Sequence, residues 1–94
     1  MEERRRVART EELLAIEEIN GQSGAGSFVL DHSPAGAKLE SHLSFIRGDT
    51  LSFSYQRPGE KEKTHRWGRV VWVVPAPDKP GRFFLGVEFF RSVD

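Results

Sequence analysis

The residues best able to do chemistry stand at two places in the chain. Arg5 and Arg9 are four apart, in a run that also holds Arg4 and Arg6. An offset of four puts two side chains on one face whether the segment is extended or helical, so both can grip one ligand. A guanidinium is planar and permanently charged; it clamps a phosphate, offers a bidentate fork to guanine O6 and N7, or stacks on a base. At the second place, Asp31 and Ser33 are two apart at the end of an apolar segment, and Gly36 follows. On a strand the first two project from the same face, while the glycine lets the chain turn back. A carboxylate beside a hydroxyl suits the donor edge of guanine. Each feature alone also has a plainer reading: a solvated basic terminus for the arginines, and a polar turn capping a strand for Asp31 to Gly36.

Enzymatic chemistry finds less support. Asp31, His32 and Ser33 are adjacent, but neighbours on a strand point to opposite faces, so His32 is badly placed to act as base for Ser33, and no G-x-S-x-G elbow surrounds the serine. Gly21 to Ser27 has the glycine spacing of a phosphate loop without its lysine. His32, His42 and His65 are widely separated, and there is no cysteine to join them in a zinc site. The expectation is a binding module with no catalytic residue, metal or cofactor.

The elements that must position these residues are mostly strands. Residues 1–9 read as an exposed, flexible arm, because clustered arginines are not buried without paired anions. Thr10 to Gly21 carries conflicting signals. Thr10 suits an N-cap, Leu13, Ile16 and Ile19 suit a helical stripe, and Asn20-Gly21 suits a helix end, so the local evidence favours a helix. Gln22 to Ser27 reads as a loop or hairpin tip. Phe28 to Ser33 and Ala37 to Glu40 read as short strands about a Pro34 and Gly36 turn. Leu51, Phe53 and Tyr55 alternate with Ser52, Ser54 and Gln56, the period-two mark of a half-buried strand. Lys63 to Val74 is β-branched and aromatic and stops at Pro75, and Arg82 to Phe90 forms a last strand. Short strands with tight turns and little room for crossover helices imply an antiparallel sheet closed as a small barrel.

Composition bounds the function. Ninety-four residues make one domain, here an arm over 1–9 and a barrel over 10–94. With 37% hydrophobic and 30% charged residues, a folded globular domain is the default. No apolar run approaches the ~20 residues that cross a bilayer, and charged residues follow Met1 where a signal peptide would be apolar, so no membrane is expected and the cytoplasm is. Fourteen basic and fourteen acidic side chains cancel, which disfavours duplex nucleic acid as partner.

Taken in order, Glu3-Arg4-Arg5-Arg6-Val7-Ala8-Arg9, Asp31-His32-Ser33-Pro34-Ala35-Gly36, Gly68-Arg69-Val70-Val71-Trp72 and Gly86-Val87-Glu88-Phe89 resemble the bacterial PilZ family, most specifically in the paired RxxxR and DxSxxG motifs. The resemblance spans nearly the whole chain. It implies a six-stranded antiparallel PilZ-type (split) β-barrel, with the arm folding over the second messenger cyclic di-GMP seated against the DxSxxG face. Arg5 and Arg9 match the first motif and Asp31, Ser33 and Gly36 the second. Arg4 and Arg6 are extra arginines of a kind that family members use on phosphates or bases. Trp72 falls where related domains place an aromatic against a guanine, and reads equally as a core or wall residue. The chain departs from the family pattern at His32, usually apolar, at Ala35, often glycine, and in the acidic helix-like stretch Glu11 to Ile19, where the barrel is expected to override local propensity.

The function this implies is a cyclic di-GMP receptor that changes its arm and barrel surface on binding and signals to a protein partner. An alternative is a degenerate module that binds only protein. A third reading, a small barrel binding single-stranded nucleic acid through aromatics such as Trp67, suits the zero net charge least.

Overall fold

Alternating burial decides most of the architecture. The computed structural model describes residues 13–90, so Arg4, Arg5, Arg6 and Arg9 lie outside the described residues. Seven strands follow one another: β1 (Leu14–Ile19), β2 (Gln22–Ser23), β3 (Phe28–Ser33), β4 (Gly36–Ser41), β5 (Thr50–Tyr55), β6 (Thr64–Pro75) and β7 (Phe83–Phe89). Every pairing is antiparallel, in the order β2-β1-β3-β4-β7-β6-β5, and β1 also pairs with β5. Six strands therefore close into a barrel, with β2 a two-residue return beside β1. Closure leaves few free backbone edges. Among the described residues there is no helix, and so none long and apolar enough to cross a membrane.

The expected alternation of Leu51, Phe53 and Tyr55 holds, all three being buried. They meet Leu14, Ile16, Ile19, Val29, Leu39, Val70, Leu85 and Val87 in one core. Burying each such side chain stabilises the fold by about 1.5–3 kcal/mol. Two buried hydroxyls, Ser27 Oγ and Ser41 Oγ, satisfy one another at 2.7 Å.

The helix favoured by local evidence from Thr10 to Gly21 is a strand over its described part. Leu14 and Ile16 point inward two residues apart, and Ile19 follows three later because the register to β5 shifts between Ile16 and Glu18. One bulged residue in a strand produces the three-residue apolar spacing of a helix. Pairing with β3 and β5 then prevails over helix propensity, which is a weak force. Asn20 and Gly21 have φ of 52° and 79°. They form the turn of the β1–β2 hairpin, where both central residues need positive φ, and do not end a helix.

Candidate functional site

Four neighbouring strands, β3, β4, β7 and β6, present one outer face. Its orientation follows from the core: Leu39, Leu85 and Val87 point inward, so Lys38, Gly86 and Glu88 between and beside them point out. The register then lines up Asp31 with Lys38, Lys38 with Gly86, and Gly86 with Trp72 in a single row across the strands. The next row holds Ser33, Gly36, Glu88 and Arg69. Strands lie ~4.8 Å apart, so Asp31 and Trp72 stand about 14 Å from each other along the row.

Two bulges make this face. The register of β3 shifts between Val29 and Asp31, and that of β6 between Val70 and Trp72. Val29 and Val70 are fully buried, so strict alternation would turn Asp31 and Trp72 inward with them. One extra residue in each strand, Leu30 and Val71, turns both side chains outward.

Each sequence-derived site residue within 13–90 can be placed on this geometry. Asp31 is part-buried and Ser33 exposed. The Ser33 Oγ accepts the Ala35 N–H at 3.2 Å, which is the turn-capping role, and its own hydroxyl proton remains to be donated. Gly36 has a packing reason of its own, since a Cβ there would run into the Val87 carbonyl oxygen. Trp72 is 40% exposed and its indole lies over Gly86, where a Cβ would collide with Nε1. It is an outer-wall residue on a glycine floor. The four arginines of the arm fall outside the described residues.

His32 faces the other way. It pairs with Ala37, which packs against the core, and its ring lies 6.3 Å from that of buried Tyr55. Its Nε2 is buried without a hydrogen-bond partner. Ala35 has no positive φ, so the turn does not demand a glycine there.

Sequence reasoning missed two cations on the face. Lys38 stands between Asp31 and Gly86, its Nζ 4.6 Å from the Phe84 ring centroid, and Arg69 is opposite Glu88 with its guanidinium 5.4 Å from the Phe90 ring. Strand alternation turns both outward as the immediate neighbours of inward Leu39 and Val70, but which strands flank them is not readable from the sequence. One end of the face is anchored by Glu40, which is 5% exposed and takes Arg82 Nε at 2.7 Å and Lys79 Nζ at 3.4 Å. Burial alone would raise the Glu40 pKa; the hydrogen bonds from Arg82 and Lys79, with their charges, outweigh it and hold the carboxyl below its ordinary value. The face offers an aromatic plane, two cations, carboxylates and a hydroxyl on one surface. No family model, no curated protein and no solved structure matches the chain.

Proposed function

We propose that this chain is a cytoplasmic, non-catalytic receptor domain for cyclic di-GMP, of the bacterial PilZ type, with Arg4, Arg5, Arg6 and Arg9 closing on a dinucleotide held against Asp31, Ser33, Gly36 and Trp72. The observation that carries the reading is the register. Residues far apart in sequence, Asp31 and Ser33 on one side and Trp72 on the other, occupy adjacent rows of one outer face floored by Gly36 and Gly86. Guanine suits such a surface, because its N–H edge meets a carboxylate and a hydroxyl while its ring plane meets an indole. Lys38 and Arg69 add positive charge for the phosphates.

The arm is long enough to serve this face. Leu14 pairs with Val29 and the two strands run antiparallel, so the chain leaves β1 backwards in the direction of Asp31 and Ser33. Arg9 stands four residues before Leu13, a reach of about 13 Å when extended. Ordering the arm costs conformational entropy, and charge-assisted bonds to phosphate and guanine offset it. The ordered arm is then a new surface for a protein partner to recognise.

The alternative, a degenerate module that binds protein alone, drew on His32 and Ala35. His32 points into the barrel and Ala35 sits in an unstrained turn, so neither blocks the face. What still favours it is the exposed apolar surface of Trp67, Val71, Val74 and Phe90. Calorimetry separates the two readings. Cyclic di-GMP is expected to bind and GTP not to, and Arg9→Ala to lose at least ~1.5 kcal/mol, about tenfold in affinity. Absence of heat with cyclic di-GMP would leave the protein-only module.

A further inference from the structure

On the opposite flank of β6 the outer surface carries a second recess. There β1, β5 and β6 lie side by side, with Glu18 opposite Ser54, Ser54 opposite His65, and Ser52 opposite Trp67. Asn20 closes one end, its N–H donating to the Ser52 carbonyl at 2.8 Å and its Oδ1 accepting the Ser52 N–H at 3.0 Å. These residues line an open hollow.

Two observations mark it as more than a dent in the sheet. Ser54 is 1% exposed, lines the hollow, and its Oγ has no hydrogen-bond partner. A buried hydroxyl left unpaired destabilises the fold, and a donor reaching it from the hollow would remove that cost. Trp67 is 57% exposed, the most open aromatic side chain of the described residues, and its ring stacks on His65 at 6.5 Å and 26°. The charges complete the description. Of the neighbouring cations, Lys63 pairs with Glu17 at 2.7 Å and also feels the Glu18 charge, and Arg66, which lines the hollow, has its guanidinium over the Phe89 ring at 5.3 Å. Glu18 lines the hollow and forms no ion pair among the described residues.

We propose that this recess receives a guanidinium group, the side chain of an arginine on a partner protein. The group is a flat cation with five N–H donors. One face stacks on the Trp67 indole, an edge pairs with the Glu18 carboxylate, and a remaining N–H gives the Ser54 Oγ the partner it lacks. Glu18 and Ser54 sit on adjacent strands ~4.8 Å apart, within the span of one guanidinium. An ammonium would satisfy the charge but not the stack or the spacing, and the carboxylate turns away phosphates. The site is separate from the dinucleotide face and does not rest on that reading.

The test is an NMR titration of the full chain with N-acetyl-arginine methylamide, and with its lysine and citrulline counterparts, following the indole N–H signals of the two tryptophans. The expected result is a saturable shift of the Trp67 signal with the arginine compound, at least about fivefold weaker binding of the lysine compound, and none of the citrulline one. Trp72 should stay still. Glu18→Gln should weaken binding about tenfold, the size of one lost charge-assisted bond. Ser54→Ala should weaken it about threefold while raising the urea midpoint of the free protein, a combination that a purely structural serine would not give. An unsaturable shift, equal response to all three compounds, or Ser54→Ala binding unchanged overturns the proposal. So does tighter binding to a chain with Arg4, Arg5, Arg6 and Arg9 all changed to alanine, which would make the arm the occupant.

Discussion

Glu40 shows how one side chain can anchor the end of the proposed binding face from beside it. It points outward, yet Arg82 and Lys79 cover it, and Arg82 also donates to the Gly26 carbonyl and lies 5.9 Å from the Phe28 ring. Glu40→Gln leaves two cations around a neutral amide; breaking a fully buried pair costs ~3–5 kcal/mol, and with Lys79 half exposed we expect about 2 kcal/mol at neutral pH. The pH dependence has a definite sign. A carboxyl whose folded pKa is depressed stabilises the protein above its ordinary value of 4.5, and that stability is lost as pH falls through the lower folded value. Urea unfolding of wild type and Glu40→Gln should therefore converge as pH drops below 4.5 and differ fully above it. His32 makes the opposite case. Its unpaired Nε2 inside the barrel costs free energy that a leucine would not, so His32→Leu should raise stability by about 1 kcal/mol. Because the side chain faces Tyr55, the same variant should bind cyclic di-GMP as wild type does.

The strands themselves were largely legible, and the places where they were not are bulges. Leu51, Phe53 and Tyr55 alternate without interruption and were readable as a strand from period alone. Leu14, Ile16 and Ile19 were not, since the bulge before Glu18 inserts the third residue that period counting attributes to a helix. Val70 to Val74 offers five apolar or aromatic residues in a row, so nothing in the sequence shows that Val71 is the extra one and that Trp72 turns outward. Asp31 and Ser33 were legible as sharing one strand face from their spacing of two, whereas the neighbours of Lys38 and Arg69 were hidden because they depend on the partners of β4 and β6. Gly86 had a plain signal, a glycine inside a strand, which marks a close approach. Its role gives a prediction for the β6–β7 pair. Gly86→Ala must push the Trp72 indole off its floor; the ring is at the surface and can swing into water, so stability should fall by less than about 1 kcal/mol. Cyclic di-GMP affinity should nevertheless drop about tenfold, with a red-shifted tryptophan emission in the free protein. An unchanged affinity would remove Trp72 from the proposed site.

At the scale of the whole molecule, the barrel is closed by β1, which gives its first residues to β3 and its later ones to β5. The proposed ligand face and the start of β1 therefore meet at one seam, where Leu14 pairs with Val29 just before the bulge that turns Asp31 out. A ligand gripped by the arm and by β3 together binds only the closed barrel, so it must stabilise the fold by mass action. At a free concentration a hundred times its dissociation constant, cyclic di-GMP should add about 2.7 kcal/mol. For a domain of this size each kcal/mol moves the melting midpoint by about 4–8 °C, so the midpoint should rise by more than about 10 °C. GTP at the same concentration should leave it in place, and Arg9→Ala, binding about tenfold more weakly, should show only about half of the shift. Hydrogen exchange gives the spatial half of the same expectation: amides of residues 1–12 and of β1 and β3 should gain protection with ligand, while those of β5 gain little. Uniform protection around the barrel, or a midpoint that rises equally with GTP, would mean that the dinucleotide is not held at the seam.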